Sequence, residues 1–246
     1  MMTSYPSISD SRLPIYQRLK DDFVQRITRG AWQPDLPVPS EMQLAAELSV
    51  SVGTVRKAIE ALVQDGFLFR YQGKGTFVRR ADFGNALARF FRHTDSSGRL
   101  LHPRGQMIEV KEVPGLAVVS DRLGQDPSAP LLRLRRLRLV GDMPKLYEEI
   151  FVDREKFAPL AGLVLDAFGD LLYPLYEEVC GHRVFRATET IHFGQASSRA
   201  ATHLGTSRGE AVVVIDRLAV GFDGQPLEWR RSIGLANQFS YSVELR

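Results

Sequence analysis

From Ile15 onward apolar residues recur at every fourth position, at Leu19, Phe23 and Ile27, with Arg18, Asp22 and Arg26 between them. That spacing predicts an amphipathic helix entered at Leu13-Pro14, where the fixed φ of proline suits a first turn, and ended at Gly30. Pro34, Pro37 and Pro39 then force an extended passage. Ser40 with Gln43 three residues on is a capping-box pattern, and Leu44, Ala45 and Leu48 give a short second helix its buried side. Ser49 to Ser51 supplies a tight turn and a new N-cap. Beyond it Val52, Val55, Ile59, Leu62 and Val63 recur in steps of three and four as far as Asp65-Gly66. Two strand-like runs, 67–70 and 76–79, flank the glycine-containing loop 71–75. Two helices across a three-residue turn, the second longer and followed by a hairpin, predict a winged helix-turn-helix.

The remainder reads as mixed α and β. A connecting helix is expected over 83–92 and a polar loop over 93–105. Strands are expected at 107–113, 131–140, 147–152, 185–193, 211–220, 227–233 and 241–245, and helices at 118–123, 170–179 and 197–204. An internal echo runs through this region. Leu123-Gly124 returns as Leu204-Gly205 and Arg136-Leu137 as Arg217-Leu218; then, one residue later in register, Pro144 returns as Pro226 and Tyr147 pairs with Trp229. Two copies are too few for a solenoid, so the echo predicts a duplicated helix-plus-hairpin unit in one antiparallel sheet. The fold class expected is α+β, with domains at 1–80 and 81–246.

Composition narrows the class. The 246 residues suit one or two domains, and 44% hydrophobic with 25% charged residues is an ordinary globular mixture, which excludes fibrous and disordered chains. No apolar run approaches the ~18 residues that span a bilayer and the first ten residues lack a signal-peptide pattern, so no membrane partner and a cytoplasmic location are expected. The formal charge of +3 lies wholly within the first 80 residues, which makes that segment the place to look for a polyanionic partner. A single cysteine, Cys180, excludes an internal disulfide and a multi-cysteine zinc site. The five histidines show no metal-ligand spacing, and no nucleophile elbow or cofactor fingerprint is present. Gly73-Lys74 is not a phosphate-binding P-loop, because Gly75 follows the lysine and no glycine stands five residues earlier.

Ser51, Thr54, Arg56 and Lys57 surround the start of the third helix, the element that enters the major groove in a winged helix-turn-helix. Arg56 can fork onto guanine O6 and N7, Gly53 permits close backbone approach, and Lys74 at the wing tip suits a minor-groove or phosphate contact. The bland alternative is a solvated basic face and an ordinary hairpin tip. Pro39-Ser40-Glu41, Thr54-Val55-Arg56, Asp65-Gly66 and Gly73-Lys74-Gly75-Thr76-Phe77-Val78 stand at the spacing of the GntR family of bacterial transcription regulators, which residues 13–78 resemble without a gap. The resemblance implies contacts with double-stranded operator DNA from Ser40, Ser51, Gly53, Thr54, Arg56, Lys57, Gln72, Gly73 and Lys74. It also exposes departures. Many members carry arginine where this chain has Met42, and Arg-Thr where it has Val52-Gly53, so their side-chain contacts do not carry over there.

Arg133, Arg135, Arg136 and Arg138 crowd one predicted strand. Alternation puts Arg136 and Arg138 on one face and Arg133 and Arg135 on the other, poor material for a closed core, so one face is expected to meet a polar cavity suited to a carboxylate or phosphate. The Arg-x-Arg pair followed by Pro144 and Glu148 resembles the UTRA ligand-binding domain of the HutC branch of the GntR family, whose fold is similar to chorismate lyase; the likeness covers roughly 82–246. It implies effector contacts from Arg136, Arg138, Glu148 and Phe239. Phe239 stands where the family often has a tyrosine, which keeps shape and removes a hydroxyl, and Leu171-Leu172-Tyr173 lacks the serine of sugar-phosphate-responsive relatives. A structural Arg–Glu ion pair is the alternative for Arg136 and Glu148. The whole then reads as a homodimeric repressor controlled by a small-molecule effector and using no cofactor, with residual lyase-like activity as the rival reading.

Overall fold

The computed structural model describes residues 13–34, 36–79 and 103–239. The chain divides into two compact units, residues 1–80 and 81–246.

In the first unit α1 (Ile15–Thr28) buries Leu19, Phe23 and Ile27, the stripe set by the four-residue spacing. Trp32 closes back on it, its ring 4.9 Å from that of Phe23, and the buried Arg26 is paired with Asp22 at 2.7 Å and Glu47 at 2.8 Å. α2 (Glu41–Leu48) opens on a complete capping box between Ser40 and Gln43, which satisfies two orphan amides at once. It ends at Ser49 in the left-handed conformation, φ 54°, and that bend lets three residues turn the chain into α3 (Val52–Gln64). Val55, Ala58, Ile59 and Leu62 of α3 are buried with the stripe of α1 and with Leu44 of α2. β1 (Leu68–Tyr71) and β2 (Gly75–Val78) pair antiparallel, Leu68 opposite Val78, and the proline-rich passage joins them where Pro37 bridges Phe77.

The second unit runs β3 (Arg104–Val113), α4 (Ala117–Leu123), β4 (Leu131–Val140), β5 (Met143–Asp153), two short 3-10 turns, α5 (Leu172–Cys180), β6 (Val184–Gln195), α6 (Ser198–Leu204), β7 (Ala211–Gly221) and β8 (Pro226–Leu235). The strands form one antiparallel sheet in the order β3-β4-β5-β8-β7-β6. Each half is a strand, a helix and a hairpin, and the halves meet at the sheet centre where Phe151 faces Trp229. The echo is therefore structural. α4 and α6 both end on a left-handed glycine, Gly124 at φ 63° and Gly205 at φ 65°. Bulges follow Arg138 in one half and Ala219 in the other, positions that share the offset of the repeat. The slip of one residue has a simple cause. Leu139 pairs with Pro144 while Val220 pairs with Pro226, so the second hairpin loop holds one residue more.

The two sheet faces are different layers. Leu132 and Leu134 pack with Phe157, Phe168, Leu172 and Tyr176 under α5, whereas Leu131 packs with Val119 and Leu123 of α4, and Leu137 with Ala200 and Leu204 of α6. Two expectations need correction. Arg104 and Gly105 open β3 rather than closing a loop, and α5 begins at Leu172, not at Asp170, because long-range bonds hold Asp170 outside the helix. The expected helix at 83–92, most of the loop before β3 and the expected strand at 241–245 lie outside the described residues. No helix among the described residues is long and apolar enough to cross a membrane.

Candidate functional site

α3 starts on Ser51, whose Oγ accepts the Thr54 amide at 3.1 Å and lies 2.8 Å from Thr54 Oγ1. Ser40 plays the same part for α2, its Oγ accepting the Gln43 amide at 3.3 Å while the Gln43 side chain accepts the Ser40 amide at 2.9 Å. Both serines are first of all caps, and the amides they leave free point outward from helix N-termini, where anions are favoured. Arg56, one turn into α3, donates its Nε to Glu41 at 2.8 Å, and the other oxygen of Glu41 accepts from Arg70 of β1 at 3.0 Å. The Lys57 ammonium sits 4.1 Å from the centre of the Tyr16 ring and that of Lys74 4.6 Å from Tyr71. At the wing tip the Lys74 amide donates to the Tyr71 carbonyl at 2.9 Å, a turn that needs the φ of 75° at Gly73. A cleft of about 690 Å³ opens between α2, α3 and the wing; Met42, Val52, Arg56, Arg70 and Lys74 line it. A Cβ built on Gly53 would meet only Ser51 Oγ, at 3.9 Å, so nothing in the fold itself requires glycine there.

On the α5 face of the sheet, β4 and β5 place Arg136 directly opposite Glu148, and the guanidinium and carboxylate pair with both residues buried. Ser232 of β8 donates to the other oxygen of Glu148 at 2.8 Å, and Arg230 stands 3.6 Å away. Burial raises the Glu148 pKa, but the charges of Arg136, Arg230 and Arg138 outweigh it and hold the carboxyl well below the usual range. Arg230 is forked onto Glu228, Nε and a terminal nitrogen at 3.0 and 2.9 Å, and Tyr176 donates to the same carboxylate at 2.7 Å. Burial and then Glu228 push the Tyr176 hydroxyl well up, so it remains a donor. Arg217 reaches Glu189 at 2.8 Å. Arg138 is the exception. It donates to the backbone carbonyl of Asp170, its Nε has no partner among the described residues, and burial together with the neighbouring Arg136 charge pulls its pKa down to about 10. Arg138 faces Leu146 in register, and Phe239 packs on Leu146, Val213 and Ile215, which puts the aromatic ring at the end of the same sheet face.

Residues 98–240 match the model of the UTRA domain and residues 15–78 that of the bacterial regulatory proteins of the gntR family. The chain belongs to the GntR family. It is 28% identical to the HTH-type transcriptional repressor NagR of Bacillus subtilis over 94% of each chain. It is 30% identical to the HTH-type transcriptional regulator Rv0792c of Mycobacterium tuberculosis, over 86% of this chain and 77% of that one. The crystal structure of PhnF from Mycobacterium smegmatis superposes with a TM-score of 0.54 at 19% identity, over 95% of this chain and 99% of that one, a likeness of fold. This GntR-family chain is a transcription regulator with a DNA-binding winged unit and an effector-binding UTRA domain.

Of the positions expected to touch DNA, Ser40, Arg56, Gln72, Gly73 and Lys74 line the cleft between α2, α3 and the wing, while Ser51 caps α3 and Gly53, Thr54 and Lys57 lie in its first two turns, Lys57 against Tyr16 of α1. Arg136, Arg138 and Glu148 converge, and Phe239 joins them at the margin. The ion pair weighed for Arg136 and Glu148 is present, and with Ser232 it occupies both oxygens of that carboxylate. The cations of the opposite face are neutralised by neighbours, Arg133 by Glu109 at 3.1 Å and Arg135 by Glu109 and Glu149 at 2.8 and 2.9 Å. Sequence reasoning missed Glu41 and Arg70 in the winged unit, and Arg217, Glu228, Arg230, Tyr173 and Tyr176 in the sheet. For the latter the echo of Arg136 at Arg217 and the alternation Glu228-Trp229-Arg230 were the available signals.

Proposed function

We propose that the chain is a cytoplasmic, HutC-branch repressor that binds an operator as a homodimer and changes its operator affinity when a small anionic metabolite occupies the α5 face of the sheet. Residues 1–80 supply the DNA contacts, with Arg56 reading a base edge and Lys74 holding the backbone; residues 81–246 bind effector and dimerise. Two-fold assembly is required by the arithmetic of recognition, since one α3 reads only a few base pairs. The observation that carries the effector reading is Arg138, a buried guanidinium that donates to a peptide carbonyl and whose Nε finds no partner among the described residues. An anion delivered there relieves a charge that the fold leaves short of a counterion. Phe239 then packs against the ligand, while Glu148 orients Arg136 and Arg230 and is too fully bonded to serve as a general acid or base.

In this reading the coupling runs through Asp170. Asp170 accepts from the buried arginines with its carbonyl and from the Gly105 amide of β3 with its carboxylate, at 2.6 Å, and β3 is the strand that follows the segment joining the two units. An effector that takes over the arginines frees Asp170 and with it the start of β3. A ligand changes DNA affinity only by its preference between the two forms. The test is operator affinity at fixed salt with and without candidate anionic metabolites, in the wild type and in Arg138→Ala. The variant is expected to keep basal binding, because Asp170 retains its bonds to Arg136 and Gly105, and to lose the response, because the effector loses its anchor. A wild-type response surviving in Arg138→Ala would place the effector elsewhere, and conversion of the metabolite to a product would favour the lyase-like reading. Sedimentation of the full chain and of residues 1–80 checks the assembly, with a dimer expected only for the former.

A further inference from the structure

We propose that Glu41 is a positioning residue for sequence discrimination: its carboxylate fixes Arg56 so that only the terminal fork of the guanidinium is offered to a base. The proposal rests on the reading of α3 as the groove-reading helix. Glu41 is the first residue of α2, Arg56 lies one turn into α3, and Arg70 lies in β1. One carboxylate therefore ties together the three elements that face the cleft, Oε2 to Arg56 Nε at 2.8 Å and Oε1 to an Arg70 terminal nitrogen at 3.0 Å. Arg56 makes no other hydrogen bond among the described residues, and 58% of its side chain is exposed. A long arginine tethered at Nε loses its side-on mode of donation and keeps the end-on one, two parallel N–H groups at the spacing of guanine O6 and N7.

Electrostatics sharpens the point. A carboxylate on a surface that meets a polyanion opposes binding to every sequence, and an exposed ion pair contributes little to folding. What Glu41 supplies in return is orientation. An untethered Arg56 reaches phosphates and bases alike, and the discrimination expected of a bidentate pair needs the fork held in place before contact.

The full-length protein is used to select an operator from a random DNA library, and the selected site is then varied one base pair at a time. Glu41→Ala, Glu41→Gln, Arg56→Ala and the Glu41→Ala/Arg56→Ala double variant are compared at one salt concentration, on the selected site and on random-sequence DNA, alongside their melting curves. Glu41→Ala is expected to lower the ratio of specific to random binding on the order of tenfold. The loss should fall at the same base pair of each half-site that Arg56→Ala flattens, while affinity for random DNA holds or rises. The double variant should discriminate no worse than Arg56→Ala alone. Glu41→Gln keeps an acceptor for Nε without the charge and should retain part of the preference; it also decides the matter if Glu41→Ala melts early. Preference unchanged in both Glu41 variants, equal losses on specific and random DNA, or losses that add to those of Arg56→Ala would each overturn the proposal. Failure of the groove-reading assignment is separate and visible, since Arg56→Ala itself would then leave every base-pair preference intact.

Discussion

In the winged unit the arginines of interest stand in solvent, Arg56 and Arg70 with 58% and 47% of their side chains exposed, and both bond the carboxylate of Glu41, with Glu60 a looser second partner of Arg70 at 3.9 Å. In the UTRA domain Arg136, Arg138, Arg217 and Arg230 are buried and sit among Glu148, Glu189 and Glu228. The proposed function accounts for the difference by the size of the anion that each would meet. A DNA backbone is long and already surrounded by counterions, so exposed cations suffice and salt tunes the result. A metabolite offers one or two charges and must be drawn out of water, which takes guanidinium groups already desolvated and already aimed. The exposed charges of the first unit, unlike its buried Arg26, can be altered with small effect on folding and large effect on binding; among the buried charges of the second the two are linked.

The largest effect tests that linkage directly. Glu148→Ala should cost about 3–5 kcal/mol of unfolding free energy, because it leaves buried guanidinium charge without its counterion, whereas Glu41→Ala should cost under about 1 kcal/mol. Denaturant unfolding of both variants measures the contrast, and similar losses would erase it. The pH dependence has a fixed sign. A carboxyl held below its usual range contributes stability that is complete above that range and is lost as pH falls below about 4, so the wild type should lose more stability on acidification than Glu148→Gln.

Arg138 should behave in the opposite sense. Its folded pKa, drawn down to about 10, lies below the ordinary arginine value, so the charged form costs stability at neutral pH and the cost fades as pH rises past about 10. Replacing it with methionine, an apolar side chain of similar length, should leave the effector-free protein as stable or more stable by roughly 1–3 kcal/mol while abolishing the effector response. Thermal melts with and without effector check both halves, and a marked drop in the melting temperature would mean that Arg138 is structural.

The contrast also governs how much could be read from the chain. The signals of the winged unit are local: Ser40 caps through Gln43, Ser51 through Thr54, and the buried stripe of α1 repeats every four residues, all within one helical turn. In the sheet the strands, the duplication and the shared face of Arg136 and Arg138 were legible because alternation is local too. Their partners were not. Arg138 finds the Asp170 carbonyl 32 residues on and Tyr176 finds Glu228 52 residues on, contacts that depend on which strands lie side by side. For the same reason α5 was expected to start at Asp170, whose bonds to β3 and β4 lie far away in sequence.

Within the winged unit the two basic contacts should separate by kind. Arg56→Ala should cost about 1–3 kcal/mol on the operator and relax preference at one position per half-site, while Lys74→Ala should weaken binding to all sequences and flatten the dependence of log affinity on log salt by about 0.9. Titrations at several salt concentrations on specific and random DNA measure both. A change in salt slope without a change in preference for Arg56→Ala would move that residue to the backbone.

The smallest effect on folding should come with a large effect on binding, at Ser51. Its Oγ satisfies the Thr54 amide at the start of α3, and losing a cap of this kind costs about 1 kcal/mol, so Ser51→Ala should be mildly destabilised and frayed at the end of the helix that reads DNA. Aspartate caps as well as serine and its charge suits a helix N-terminus, so Ser51→Asp should fold with wild-type stability. The same carboxylate, however, occupies the place where a phosphate oxygen would meet the free amides of α3, and like charges repel across a drying interface. Ser51→Asp should therefore be the better folded of the two variants and the poorer binder, with the deficit growing as salt is lowered. If Ser51→Asp binds the operator as well as Ser51→Ala does, the start of α3 stands clear of the phosphates and the helix enters the groove by another part of its surface.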